Sequence, residues 1–137
     1  EEFKIYEFKG NKQDIHHYIY YANLFIGDSQ SMAVESAMLG TPNIRFNDFV
    51  GKISVLEEIE NKYKLSIGIN SEKPQELINT VNDIINDNSF VKEYKSRRDD
   101  LLKDKIDVTA FMVWFIENYP KSIQVMKENP EYQNKFK

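Results

Sequence analysis

The most informative part of the sequence is Gly27-Asp28-Ser29-Gln30-Ser31-Met32-Ala33-Val34-Glu35-Ser36-Ala37-Met38-Leu39-Gly40-Thr41-Pro42. Residues 24–28 form an apolar run that is too short for a helix and is typical of a buried parallel strand. Residues 42–46 form a second run of strand character. The chain between the two runs predicts a helix over residues 32–39, so this part of the sequence predicts a strand–helix–strand unit with parallel strands.

Both ends of the predicted helix carry residues that favour a boundary there. Ser29 is a suitable N-cap because its hydroxyl can accept a backbone N–H of the first turn. Gly40 stands where a helix commonly ends on a left-handed glycine, and Pro42 follows two residues later.

The rest of the chain continues the alternation of strands and helices. Strands are predicted over residues 65–69 and over residues 3–8, where Phe3, Ile5 and Phe8 are expected to turn inward. Further helices are predicted over residues 14–22, 55–63, 74–85, 90–105 and 107–119. The predicted fold class is α/β: a Rossmann-like three-layer domain over residues 1–119, with a mostly parallel sheet of about four strands and a helical C-terminal block. A polar tail is predicted over residues 120–137.

Composition excludes several classes of protein. The chain has 137 residues and a hydrophobic fraction of 41%, which fits one folded domain. Its net charge of −4 makes it a poor partner for nucleic acid. The absence of cysteine excludes disulfides, thiol catalysis and cysteine-based zinc sites. No apolar run approaches the roughly 18 residues that span a bilayer, so we expect no transmembrane segment and a cytoplasmic location.

The start of the predicted helix has the chemistry of an anion site. In an open α/β sheet, ligands bind beyond the carboxyl ends of the strands, and free N–H groups at a helix start favour an anion. Ser29 and Ser31 add small hydroxyl donors, and Glu35 shares the helix face of Ser31 four residues on. Because a carboxylate would repel phosphate at contact distance but accept sugar hydroxyls, a nucleoside diphosphate accounts for both features. The alternative is that Ser29 is an ordinary cap and Glu35 a solvated helix residue.

Residues 27–42 resemble the signature of the UDP-N-acetylglucosamine 2-epimerase-like proteins, which have the GT-B glycosyltransferase fold. The positions that match the family spacing are Asp28, Ser29, Glu35, Gly40 and Pro42. Residues 14–23 and 55–60 also look like the family's neighbouring helices, so the resemblance covers about residues 1–90.

The resemblance implies a protein with two Rossmann-like halves and a UDP-linked sugar nucleotide between them. Ser29 and the backbone of Gln30 and Ser31 would hold the diphosphate, Glu35 would hold the ribose hydroxyls, and Asp28 would lie in the cleft. The resemblance implies no metal and no other cofactor, and the catalytic residues stay unassigned. The family has two glycines where this chain has Gln30 and Ser31, which separates it from true epimerases.

The chain is expected to be a fragment of such a protein. It opens with Glu1, without a Met, almost directly on a strand-like run, and a two-domain member needs more than twice its length. The predicted partners are therefore a nucleotide sugar and a missing N-terminal domain. We expect a role in polysaccharide or glycoconjugate synthesis and little or no activity of this half alone.

Two further features leave alternatives open. His16 and His17 are adjacent on a helix and point about 100° apart, so they cannot chelate one metal together. Either one faces the cleft, or one is packed and the other solvated. The last helix carries apolar residues on more than one stripe, which indicates core packing or a partner surface. An alternative function is therefore a non-enzymatic α/β interaction module that associates through this helix, for instance as a homodimer, and a weaker alternative is a flavodoxin-like domain.

Overall fold

Three short parallel strands form the sheet of this computed structural model, which describes residues 3–87 and 89–137. They lie side by side in chain order as β1 (Phe25–Gly27), β2 (Asn43–Phe46) and β3 (Ile67–Ile69). The register pairs Ile44 with Ile26 on one side and with Ile67 on the other. The predicted α/β class with a parallel sheet is therefore confirmed, but with three strands in the described residues in place of about four.

The helices of the described residues are α1 (Ile15–Tyr21), α2 (Gln30–Leu39), α3 (Ser54–Glu57), α4 (Pro74–Asn86), α5 (Phe90–Asp104), α6 (Val108–Glu117) and α7 (Lys121–Glu128). Helices α1, α2, α4, α5 and α6 lie close to their predicted positions. Helix α2 starts two residues earlier than predicted because Ser29 Oγ accepts the Met32 N–H at 3.3 Å and so acts as its N-cap. Gly40 ends it in the left-handed conformation with φ 76°, as predicted.

Residues 3–8 do not form the strand that their alternation predicts. Lys4–Tyr6 forms a 3-10 turn, and Phe3 and Ile5 are each 78% exposed. Tyr6 breaks the polar–apolar alternation, and the segment has no paired strand to satisfy its backbone groups. Phe8 packs edge-to-face against Tyr18, with ring centroids 4.9 Å apart. The prediction of an inward-facing first strand is therefore wrong.

The two faces of the sheet differ in chemistry because side chains alternate along each strand. Ile44 and Ile69 form a buried apolar cluster with Ile84 of α4. The partly buried side chains packed against this cluster are Leu24, Phe46, Ile67, Leu77, Val81 and Phe90. Asn43 and Arg45 alternate with Ile44 along β2, so they lie on the opposite face, where both are fully buried.

A hydrogen-bonded network covers this second, polar face. The Arg45 guanidinium pairs with the Glu60 carboxylate, and Arg45 Nε donates to Ser66 Oγ at 3.2 Å. The Ser66 hydroxyl donates to Asn43 Oδ1 at 2.7 Å, and Asn43 Nδ2 donates to the Leu65 carbonyl at 2.8 Å. Arg45 Nη1 is buried without a hydrogen-bond partner. The network fixes the loop before β3 against the central strand.

Glu60 enters this network from a π-helical turn, Glu58–Lys62, which follows α3 directly. The single helix predicted over residues 55–63 is therefore interrupted at Glu57. The Glu60 carboxylate also accepts the Gly68 N–H of β3 at 2.8 Å. A Cβ on Gly68 would approach Glu60 Oε2 to 2.9 Å and Arg45 Nη2 to 3.0 Å, so a larger residue here would have to displace the ion pair. Lys64 then ends the turn in the left-handed region with φ 55°.

The chain divides between Arg98 and Asp99 into two compact units, and α5 runs across the division. In the second unit, Asp107 caps α6 by accepting the Ala110 N–H at 2.9 Å, as its position predicts. The predicted polar tail is helical: α7 is followed by a 3-10 segment, Pro130–Phe136. Three aromatic contacts join this segment to α6: Trp114 stacks on Tyr132 with ring centroids 4.7 Å apart, and Phe136 contacts Phe111 and Trp114, each at 5.6 Å.

Helix α6 also has a second apolar stripe, which lies in solvent. The exposed residues of α6 and its C-terminal end are Val108, Met112, Val113, Ile116 and Tyr119, with exposed fractions between 47% and 67%. The half-buried Phe111, Trp114 and Phe115 form the packed stripe. Within residues 3–87 and 89–137, no helix combines the length and apolar character needed to cross a membrane.

Candidate functional site

The loops at the carboxyl ends of the three strands are joined to one another by side chains. Asn47, just after β2, donates from Nδ2 to the Asp28 carbonyl at 2.9 Å, and its Oδ1 accepts the Phe49 N–H at 2.9 Å. Ser71, after β3, donates a hydrogen bond to the Asp48 carboxylate. This edge of the sheet is where parallel α/β proteins place their ligands.

The N-terminus of α2 follows β1 within three residues. Because the first residues of a helix have no intrahelical acceptor for their N–H groups, those of Gln30 and Ser31 are open at this end. The hydroxyls of Ser29 and Ser31 lie 3.3 Å apart, within hydrogen-bond distance. Ser29 is half-buried and Ser31 exposed. The local geometry thus combines helix N–H groups, a favourable dipole and two hydroxyls at one point.

Glu35, one turn further along α2, is engaged by His16 of α1. The His16 Nε2 and Glu35 Oε2 atoms lie 2.7 Å apart. Since an ionised carboxylate only accepts, the imidazole Nε2 carries the hydrogen of this bond. Both side chains are largely in solvent, with exposed fractions of 57% for His16 and 40% for Glu35. The contact therefore forms an open dyad on the surface between α1 and α2.

Buried hydrogen bonds hold α1 against the end of α2. Thr41 Oγ1, just after α2, donates to the Ile19 carbonyl of α1 at 2.9 Å. The Ser36 hydroxyl of α2 donates to the Thr41 carbonyl at 3.0 Å. All three residues are buried. These buried hydrogen bonds consequently fix the backbone positions of His16 and Glu35, although the two side chains lie in solvent.

The structure thus brings some predicted site residues together and leaves others apart. Ser29 and Ser31 are within contact of each other, and so are His16 and Glu35. His17 is exposed and has no hydrogen bond to any described residue. The Asp28 side chain is also exposed, and its backbone carbonyl accepts a hydrogen bond from Asn47. The Gln30 side chain is half-buried in the first turn of α2.

The candidate site lies at the carboxyl edge of the sheet, with Ser31 exposed. Four concave regions of about 240 to 520 Å³ lie elsewhere, and none of the four is lined by Ser29, Ser31 or Glu35. One of them, a cleft of about 370 Å³, is lined in part by Glu60, Tyr94 and Arg97. Among the described residues, no group of three or more acidic or histidine side chains has the arrangement of a metal site.

Two ionisable side chains away from this edge have perturbed pKa values. Burial raises the pKa of Tyr94 to about 12, while the nearby Arg97 opposes the shift and Glu60 adds to it. Hydrogen bonds from the hydroxyl and the backbone N–H of Ser89 lower the pKa of Asp87. Neither residue lies at the carboxyl edge of the sheet, so neither shift bears on the candidate site.

Sequence reasoning missed the buried pair of Arg45 and Glu60. The signal was present, because Arg45 interrupts an apolar run in a strand that lies between two others. A charged residue in a central strand needs a charged or hydrogen-bonding partner in the interior. The partner itself was not predictable, since it comes from a π-helical turn that the sequence reads as ordinary helix.

A comparison with family models, curated proteins and solved structures finds no match for this chain.

Proposed function

We propose that this chain is the donor-binding half of a nucleotide-sugar enzyme of the GT-B glycosyltransferase or epimerase-like type. The observation that carries the proposal is the Ser29-capped N-terminus of α2, which follows β1 at the carboxyl edge of a parallel sheet. Glu35 lies one turn beyond Ser31 on the same helix. The resemblance of residues 27–42 supplies the substrate class, a UDP-linked sugar, and a setting in cytoplasmic polysaccharide or glycoconjugate synthesis. A Rossmann-like arrangement of the first unit belongs to the same proposal.

The chemistry proposed for this edge is stabilisation of a diphosphate leaving group. The N–H groups of Gln30 and Ser31, together with the hydroxyls of Ser29 and Ser31, would donate to diphosphate oxygens. Negative charge that develops on the diphosphate is then balanced by the helix dipole and by fixed donors, which need no reorganisation during the reaction. Glu35 lies too far along the helix to oppose the phosphates directly and would accept hydrogen bonds from the ribose. The catalytic residues for the sugar itself are not assigned.

A titration with uridine diphosphate tests the proposal. Backbone amide signals of the ¹⁵N-labelled protein are followed while UDP is raised into the millimolar range. We expect shifts concentrated at Ser29, Gln30, Ser31 and Glu35, because these residues would contact the diphosphate and the ribose. Absence of shifts in this part of α2 would contradict the proposal.

A matched pair of variants makes the titration specific. Ser31→Asp places a carboxylate where the diphosphate would bind and should abolish the shifts, while Ser29 still caps the helix. Ser54→Asp adds the same charge in the first turn of α3, where the residue is also exposed, and should leave UDP binding unchanged. Equal loss of binding in both variants would mean that net charge, and not this site, governs the interaction.

A second candidate function is association with a partner through α6. The observation that favours it is the exposed stripe formed by Val108, Met112, Val113, Ile116 and Tyr119. Exposed apolar side chains in a continuous stripe mark interaction surfaces more often than isolated ones do. Under this proposal the chain is a non-enzymatic interaction module, and the homodimer is the simplest assembly that it could form.

A further inference from the structure

We propose that His16 is a positioning residue, which orients the Glu35 carboxylate so that its free oxygen accepts the ribose hydroxyls of a bound nucleotide. The inference rests on the proposed function, because it assigns a specific role within the same site. It adds a residue of α1 to a site otherwise made by the start of α2. It also assigns to the dyad the discrimination between ribose and a sugar that lacks the 2′ and 3′ hydroxyls.

The two oxygens of the Glu35 carboxylate have different surroundings. Glu35 Oε2 is held by His16 Nε2 at 2.7 Å. Glu35 Oε1 has no hydrogen-bond partner among the described residues, so it remains open to a ligand hydroxyl. A side chain with several rotatable bonds loses less conformational freedom on binding when one of its oxygens is already fixed.

Buried hydrogen bonds hold the helices that carry the dyad in place, as a positioning role requires. Thr41 fixes the Ile19 carbonyl of α1 at 2.9 Å, and Ser36 fixes the Thr41 carbonyl at 3.0 Å. His16 lies three residues before Ile19 on the same helix. The imidazole therefore starts from a fixed backbone and reaches across to α2.

The contact between His16 and Glu35 contributes little to the stability of the fold. Ion pairs and hydrogen bonds between two exposed side chains contribute little to folding, since water competes for both partners. His17, the neighbouring residue, is exposed without any described hydrogen bond, so a histidine at this place on α1 does not need a partner for the helix to form. A role for the pair in binding would distinguish His16 from His17.

The test compares UDP with 2′,3′-dideoxyuridine diphosphate in wild-type protein and in three variants. His16→Phe keeps a ring but removes the donor, His16→Gln restores a side-chain N–H, and His17→Phe is the matched control. Dissociation constants come from amide titrations, and thermal unfolding checks that each variant is folded. We expect wild-type protein to bind UDP more tightly than the dideoxy compound.

In His16→Phe, UDP affinity should fall by about threefold to tenfold, the scale of one modest hydrogen bond. Affinity for the dideoxy compound should not change, because it has no 2′ or 3′ hydroxyl to donate a hydrogen bond to Glu35. His16→Gln should recover most of the UDP affinity, and His17→Phe should behave as wild-type. A merely structural role would weaken both ligands equally.

The outcomes separate the inference from the function on which it rests. If the wild-type protein does not bind UDP, the proposed function and the inference both fail. If UDP binds but His16→Phe leaves the ratio of the two affinities unchanged, the inference fails and the proposed function stands. The inference fails in the same way if His17→Phe lowers the ratio as much as His16→Phe does.

Discussion

Tyr94 lies in α5 with 1% of its surface exposed. The Arg97 guanidinium lies over its ring, 5.3 Å from the ring centroid. Burial disfavours the phenolate, and this raises the pKa of the hydroxyl from its ordinary value of 10.0 to about 12. The folded protein therefore keeps this proton at a pH where the unfolded chain has lost it. This side chain therefore makes the stability of the protein pH-dependent in alkali.

We expect the chain to lose stability in alkali because of Tyr94. The contribution is fully present below about pH 10, the pKa in the unfolded chain, and is lost as the pH rises toward 12. Melting temperatures at about pH 9 and about pH 11 measure the loss. Tyr94→Phe should show a smaller decrease, since phenylalanine has no proton to release. An equal decrease in the variant would contradict the assignment to Tyr94.

At the residue scale, the sequence predicted the role of a side chain where that side chain bonds to the backbone of a residue close to it in the chain. Ser29 and Asp107 cap their helices as predicted, because capping depends only on residues a few positions away. The contact between His16 and Glu35 was not predictable, since it depends on how two helices pack. What either side chain does with a ligand stays a prediction.

An ion pair joins two elements of the first unit: Arg45 of β2 is fully buried, and its partner Glu60 of the π-helical turn has a side chain that is 22% exposed. Glu60 also accepts the Gly68 N–H of β3, so a single carboxylate connects three elements. Removing one partner of a buried pair leaves an uncompensated charge in the interior, which costs more than the pair itself contributes.

Glu60→Ala should lower the free energy of unfolding by about 3 kcal/mol, because it strands the Arg45 guanidinium and leaves the Gly68 N–H without its acceptor. Urea denaturation measures the change. The double variant Arg45→Met with Glu60→Leu should be less destabilised than Glu60→Ala, since no buried charge remains. Additive losses in the double variant would show that packing, and not the unpaired charge, causes the effect.

At the element scale, hydrophobic periodicity located most helices, and short apolar runs located the three strands. It failed at residues 3–8, where alternation in a short exposed segment has no sheet to join. It also missed the interruption after α3 and the helix α7, where the polar pattern hides a helix that packs on α6. These errors have one cause. Hydrophobic periodicity indicates the buried face of an element, so it gives no prediction where that face is small.

At the scale of the whole molecule, the exposed stripe of α6 bears on the assembly that the chain forms. Phe111 and Phe115 lie on the stripe that packs against other aromatic side chains of the second unit. Met112 and Ile116 lie on the exposed stripe, at 47% and 67% exposure. Substitutions at the latter two therefore test association without disturbing the packing of the unit.

If the chain forms a homodimer through α6, Met112→Glu with Ile116→Glu should convert it to monomers, because each partner would bury two added charges. Sedimentation velocity at several concentrations measures the state. The control, Lys103→Glu with Lys105→Glu, adds negative charge outside the stripe and should leave the state unchanged. A sedimentation coefficient that is the same in wild-type protein and in the double variant would contradict a dimer through this helix.

The domain predicted from the sequence and the two compact units of the chain have different bounds. The sequence placed one domain over residues 1–119, whereas the chain divides at Arg98–Asp99, in the middle of α5. A division inside a continuous helix has no signal in composition, since no glycine, proline or loop marks it. The parallel sheet was predictable because its strands are short apolar runs between helices.

The order of the strands has a consequence for how the first unit is made. Among the described residues, each strand pairs with the strand before or after it in the chain, so the sheet contacts join neighbouring strands. The connections between neighbouring strands span residues 28–42 and 47–66, and the entropy lost on closing a loop grows only slowly with its length. The strands can therefore pair in chain order during synthesis, and the apolar core closes once Ile84 has been made, because Ile44 and Ile69 pack against it.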